Sequence, residues 1–282
     1  MDLQSRSDSL AEYYENGVAC LETPPDQSRF DSLMEQVFLK RVNAERRARG
    51  LAPLRLREEL LPAARFHSLD MLSNAFFAHR SPDGRNAGNR IAAFDRTLLA
   101  QSTAENVAQF GPAVCTDQFK NEVSCFKAPG FKFPTPASVV DALHEELMLS
   151  DGHRANILAE HSTHVAIGVA RKDTAFYVTQ VFANEMGELS APLPVRMRAR
   201  GKLRIKAKID GFESTSFSVL NAGDERIELA ENRLRALDLG LKRLIVQGQN
   251  NIVEWRSGRK YTRTEWLDLF GPAFEIAPST RS

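Results

Sequence analysis

The chain has 282 residues, 43% of them hydrophobic and 26% charged, with a formal net charge of +1. That length suits one sizeable domain plus a smaller one, and the composition excludes wholesale disorder. The balanced charge excludes a global attraction to nucleic acid or anionic lipid, so an electrostatic partner has to be sought in local patterning. No stretch approaches the roughly 20 apolar residues of a membrane-crossing helix.

In chain order, residues 1–29 read as a flexible N-terminal segment ending in Glu22-Thr23-Pro24-Pro25-Asp26. The opening lacks the apolar core of a signal peptide, which by itself does not place the protein in the cytoplasm. From Phe30 to Arg49 the residues Phe30, Leu33, Met34, Val37, Phe38 and Val42 recur at helical spacing, and Gly50 is a natural left-handed stop. A second helix is expected from about Glu59 to Ser73, with Leu61, Ala64, Leu69 and Leu72 inward and Pro62 in its first turn. Between Gly111 and Pro134 periodicity gives way to Pro, Gly and Cys, as in a long surface excursion. Thr135-Pro136 then looks like the N-cap and first position of a helix that runs through Val139, Val140, Leu143 and Leu147 to Ser150-Asp151-Gly152.

His164–Arg171 and Ala175–Asn184 are rich in Val, Ile, Phe and Tyr, and the short polar Lys172-Asp173-Thr174 joins them as a hairpin. Helices followed by strands predict an α+β fold, with helices around an antiparallel sheet. Pro192 and Pro194 mark a boundary, giving one domain over 30–190 and a small, mainly β domain over 195–282. In the second, Arg196, Arg198, Arg200, Lys202, Arg204, Lys206 and Lys208 alternate with small or apolar residues, which in one strand gathers every cation on one face. Such a face is either a solvated or guarded sheet edge, or a docking face for an anionic polymer or surface. Nucleic acid is the least favoured partner because aromatics are not interleaved.

The three cysteines, Cys20, Cys115 and Cys125, match no zinc-ribbon or thioredoxin spacing. Cys115 and Cys125 share the 111–134 excursion and could close a short disulfide loop in an oxidising compartment or remain reduced. All six histidines, His67, His79, His144, His153, His161 and His164, lie in the first domain, which directs the search for a site there. His144-Glu145-Glu146-Leu147-Met148 begins like a zincin helix, but Met148 stands where the second histidine belongs. No Gly-x-Ser-x-Gly elbow surrounds Ser81 or Ser150.

Four ordered motifs carry a more specific signal: Phe77-Ala78-His79-Arg80-Ser81-Pro82-Asp83-Gly84, Ala104-Glu105-Asn106-Val107-Ala108, Ser150 to Leu158 (SDGHRANIL), and Tyr177-Val178-Thr179-Gln180-Val181-Phe182. Over roughly Phe30 to Asn184 the chain thereby resembles the CAP superfamily of cysteine-rich secretory, antigen 5 and pathogenesis-related proteins, in its bacterial SCP-like branch. The resemblance implies an α/β/α sandwich and an open cleft where two histidines and two glutamates gather, a set that binds divalent metal in some members. His79 and Glu105 match two of those positions, the second glutamate falls near Ser150, and the second histidine falls at Tyr177. His153 is expected to face the same cleft, and Glu146 lies one helical turn before Ser150. His79, Glu105 and His153 could then hold zinc with a position left open. In the alternative they only hydrogen-bond loops across the cleft.

The expected function is an extracellular or periplasmic binding module that takes a small hydrophobic ligand, a lipid or an envelope component at His79, Glu105, His153, Glu146, Ser150 and Tyr177. The rival is a metal-assisted hydrolase in the same cleft.

Overall fold

The computed structural model describes residues 9–111, 113–115, 125–127, 135–199, 204–230, 238–257 and 259–278. The chain divides into two compact units, the first built from Glu12–Phe94 and Thr103–Asn184, the second from Ser9–Ala11, Asp95–Ser102 and Glu185–Ser282. Among the described residues no helix is long and apolar enough to cross a membrane.

The helices of the first unit are α1 (Leu10–Glu22), α2 (Ser32–Ala48), α3 (Leu61–Ser73), α4 (Ala87–Phe94), α5 (Pro136–Leu149) and α6 (Asp151–Ile157). Its strands are β1 (Arg29–Phe30), β2 (Arg55–Leu56), β3 (Leu98–Phe110), the pair β4 (Ala113–Cys115) and β5 (Cys125–Lys127), β6 (His164–Lys172) and β7 (Ala175–Leu189). The main sheet runs β1-β6-β7-β3. Strand parity explains the layering. Val165, Ile167 and Val169 of β6 join Met34, Phe38 and Val42 of α2 and Val139, Val140, Leu143 and Leu147 of α5 in one core. Gly168, on the opposite face of the pleat, meets α3 so closely that a Cβ there would fall inside the backbone of Ala64 and Arg65. Helices therefore cover both faces of the sheet, as an α/β/α sandwich requires.

The expected helices form as α2, α3 and α5. Thr135 Oγ1 accepts from Ser138 N at 3.2 Å as the N-cap of α5, and Gly50 takes φ 72° after α2. Leu33, expected on the apolar face of α2, is instead 62% exposed. The expected hairpin forms as β6 and β7, pairing from His164↔Ala183 to Lys172↔Ala175.

Elements absent from the sequence reading include α1, α4 and β3. Within the segment expected to be a flexible lead-in, α1 buries Tyr13 against Phe66 and Phe94, with ring centroids 5.4 and 5.6 Å away. Polar residues interleaved with its aromatics hide that apolar face. Helix α4 and strand β3 occupy a region with no legible periodicity. Cys115 and Cys125 stand directly opposite each other in the β4–β5 register, while Cys20 is a buried free cysteine.

The second unit adds β8 (Arg196–Arg198), β9 (Ala207–Ile209), β10 (Glu213–Asn221), β11 (Arg226–Glu228), β12 (Gly240–Arg256) and β13 (Arg259–Ala277). Strands β13, β12, β10 and β11 are neighbours in that order, over a core containing Leu99, Phe217, Val219, Leu244, Val246, Leu269 and Phe274. The basic stretch is not the single strand expected of it. Arg196–Arg198 pairs with the end of β13, whereas Ala207–Ile209 pairs with the end of β7, so its two ends serve different neighbours. Arg200 and Lys202 lie outside the described residues. Alternation does survive locally: Arg196, Arg198, Arg204, Lys206 and Lys208 are exposed, while Ile205 and Ile209 are buried.

Candidate functional site

The Ser81-Pro82-Asp83-Gly84 motif is a tight turn. Gly84 takes φ 89°, and its N–H donates to Ser81 O at 2.8 Å, a left-handed geometry that disfavours residues with a Cβ. Asp83 Oδ1 accepts from Arg85 N, and Asn86 and Asn89 then exchange side-chain to backbone bonds that start α4. Helix α4 thereby delivers Arg90, only 1% exposed, beneath the turn. Its guanidinium donates to His79 O at 2.9 Å, Arg85 O at 3.0 Å and Ser81 Oγ at 3.2 Å, fastening the motif from below.

The remaining Arg90 contact is to Glu105 of β3, with Nη2 donating to Oε2 at 2.7 Å. His79 donates from Nδ1 to Oε1 of the same carboxylate at 2.9 Å; the acceptor being a carboxylate fixes the proton on Nδ1. Burial pushes the Glu105 carboxyl up. The His79 hydrogen bond and the Arg90 and His67 charges outweigh it and hold the group below the usual carboxylate range. The His79 ring is 56% exposed, so its Nε2 edge faces outward from a buried, charged foundation.

A second network ties the other motifs to this one. Asn106 Nδ2 donates to Gln180 Oε1 and to His153 O, both at 3.1 Å. Asn156 Nδ2 donates to Asn106 Oδ1 at 2.8 Å and to Glu105 O at 3.2 Å. His153, half-buried on α6, is held below the ordinary histidine value by its burial and by the neighbouring His79. His79 and Glu105 are thus in direct contact, and the backbone of His153 is tied to the same strand through Asn106.

The other three candidates have different settings. Glu146 is exposed on α5, and among the described residues no interaction joins its carboxylate to His79, Glu105 or His153. Ser150 serves as the junction of α5 and α6, its carbonyl accepting from Arg154 N at 2.9 Å. Tyr177 is buried with Met71, Phe76 and Val107, so its ring fills a small apolar core where the resemblance implies an imidazole.

Zinc does not fit this donor set as it stands. Both Glu105 oxygens are engaged, one of them by a fixed cation, and a metal would meet the Arg90 charge at 2.7 Å from the carboxylate. Among the described residues no group of three His, Cys, Asp or Glu is gathered to hold a metal ion. A serine nucleophile fares no better. Ser81 is 3% exposed and accepts from Arg90, and its neighbour His67, 3.5 Å away, is driven by burial to about 3, too weak a base to activate it.

Elsewhere in this unit, a small apolar cavity of about 130 Å³ opens between α2, α3 and β6. Leu39, Leu61 and Ile167 line it beside the Glu35–Arg65 ion pair, whose N···O distance is 2.6 Å.

Residues 39–182, just over half of the chain, match the cysteine-rich secretory protein family, CAP. A relative from Bacillus subtilis (strain 168), the uncharacterized protein YkwD, is 31% identical over 137 residues, 49% of this chain and 42% of that protein. The chain therefore spans well under half of that relative's length. An extracellular protein containing a SCP domain from Bacillus anthracis str. Ames is 24% identical over 54% of this chain and 41% of that one, with a TM-score of 0.40. An outer surface protein from Borrelia burgdorferi is 12% identical over 56% of this chain and 99% of that one, with a TM-score of 0.43. The chain belongs to the CAP family.

Proposed function

We propose that this CAP-family chain is a non-catalytic binding module of the cell envelope or extracellular space, and that His79 and His153 contact its ligand. The observation that carries the reading is the His79–Glu105–Arg90 relay. A buried ion pair fixes an exposed imidazole in one tautomer, with its Nε2 edge presented to solvent. Such an edge accepts a hydrogen bond from a hydroxyl or amide, which suits the sugar and peptide groups of an envelope glycan better than an apolar tail. The 130 Å³ cavity beside Leu39 would admit only a small hydrophobic group. The family's description as secretory supports the compartment. The exposed cations between Arg196 and Lys208 are a candidate contact for an anionic envelope polymer.

The test is co-sedimentation of the full chain with purified insoluble peptidoglycan, in parallel with calorimetric titration of zinc, for the parent, His79→Ala and His153→Ala. Saturable sedimentation that both variants weaken, without release of soluble fragments, is the expected result. Fragment release abolished by His79→Ala, or zinc-dependent turnover, overturns the reading in favour of a hydrolase.

A further inference from the structure

The longest exposed feature of the second unit is the end of the β12–β13 hairpin. Strand β10 accompanies β12 only as far as Gln249, opposite Glu213. Among the described residues, 250–265 then pair only with each other, from Asn250↔Glu265 to Arg256↔Arg259, and Ser257 at the turn takes φ 50°. A two-stranded ribbon has no third strand or core to cover its faces, so side chains along it must be tolerated by whatever surrounds it.

Its sequence is not that of a ribbon made only for water. Directly opposed residues of an antiparallel pair share a face, and alternate pairs share the same face. The register Trp255↔Lys260, Val253↔Thr262, Asn251↔Thr264 and Gln249↔Trp266 therefore puts both tryptophans and Val253 on one side. All three are open to solvent: Trp255 is 70% exposed, Trp266 57% and Val253 47%. They are the chain's only two tryptophans and one of its few largely exposed valine, leucine or isoleucine side chains. From Trp255 to Arg263 the sequence WRSGRKYTR holds four Arg or Lys and no Asp or Glu, so the tip is cationic although the chain as a whole is nearly neutral.

We infer that this ribbon docks on an anionic lipid surface. Tryptophan combines a large apolar ring with a polar N–H and settles at the boundary between lipid headgroups and acyl chains. Lysine and arginine beside it bury their stems and keep their charges among anionic headgroups. Trp255 at the tip, with Val253 and Trp266 behind it on the same face and cations alongside, matches that boundary in both its apolar and its charged layer. The ribbon's length, seven paired residues per strand, lets the tip reach a surface ahead of the folded sheet, at about 3.3 Å per residue. The inference is independent of the His79 reading.

Because Trp255 lies near the tip of the ribbon and Trp266 at its base, intrinsic fluorescence reports on it directly. The full chain is mixed with vesicles of phosphatidylglycerol and phosphatidylcholine in equal parts, and with phosphatidylcholine alone, and followed by tryptophan emission and co-sedimentation. A blue shift and sedimentation with the anionic vesicles alone are expected, weakened by salt. Trp255→Ser and the pair Arg259→Glu with Lys260→Glu should each lower partitioning by about tenfold or more, and Trp255→Phe should keep most of it. Sedimentation without a blue shift, or an unchanged Trp255→Ser variant, overturns the inference. So does a shift produced by an anionic polysaccharide or an oligonucleotide but not by vesicles. Equal melting temperatures of parent and variants confirm that the tip substitutions leave the fold intact.

Discussion

In the first unit the cation Arg90 is almost wholly buried and locked against Glu105, whereas in the second unit Arg259 and Lys260 stand exposed at the end of a two-stranded ribbon. The first arrangement devotes charge to internal geometry. Arg90 gathers three oxygens of the His79–Arg85 turn and one of β3, and Arg46 likewise donates to the carbonyls of Ala52, Ile157 and Ala159. The second leaves charge where solvent or a partner meets it. A cation's contribution to the fold should follow that difference, since a surface ion is worth little and a buried one is costly to strand.

The largest expected effect breaks the buried side of the contrast. Arg90→Met strands the Glu105 carboxylate and should cost about 3–5 kcal/mol in urea unfolding. Adding Glu105→Gln should restore part of that loss, and a double variant no better than Arg90→Met would show that the pair is not the source. The next effect is in pH. Burial holds His67 near 3 against an ordinary value of 6.5, so the stability it contributes is complete above 6.5 and is lost as pH falls toward 3. Between pH 7 and pH 4.5 that amounts to about 2.5 kcal/mol. Asp70 acts in the opposite sense. Burial raises it to about 6, so its contribution is present below its ordinary value of 3.8 and is lost as pH rises through 6. The comparison is therefore between the pH slopes of the parent and His67→Asn, in which the Asp70 contribution is common; identical slopes would remove His67 from the account.

Smaller again is Asn106→Ala, which removes a fully buried side chain bonded to Gln180, His153 and Asn156 and should cost about 1–3 kcal/mol. The proton resonances of His153 should shift in that variant while those of residues in the second unit do not. At the bottom of the scale, Trp255→Ser should change stability by no more than about 0.5 kcal/mol. A larger loss would mean that the ribbon is part of the core.

The motif residues His79, Glu105 and His153 are legible through the resemblance of their four ordered motifs to those of the family. The helices α2, α3 and α5 are legible through apolar periodicity and through Pro62 and Thr135-Pro136 at the starts of the latter two. Arg90 escapes a reading of the sequence although it lies between two of the motifs. A single arginine before Ile91-Ala92-Ala93 looks like an ordinary exposed position, and only the third dimension shows which carbonyls it collects. Asn106, Asn156 and Gln180 belong to the quoted motifs, yet nothing in their spacing reveals that they bond to one another across as many as 74 residues of chain. The resemblance puts Tyr177 at the cleft, and helical spacing puts Glu146 there. The packing around Met71 claims the first, and the outward face of α5 claims the second. The basic row from Arg196 to Lys208 is legible as alternation but not as two separate pairings, because a strand pattern does not record where the strand changes partner.

Gly168 lets β6 lie directly on α3, and Ser68 Oγ, reaching across that junction, bonds Gly168 O over a separation of 100 residues. A contact of that kind stabilises the chain only after a long loop has closed, and loop closure precedes the gain. Refolding of the first unit should accordingly be slow for its size. A substitution at Gly168 should therefore act twice, slowing the meeting of helix and strand and destabilising the joined state in which its Cβ would meet the α3 backbone.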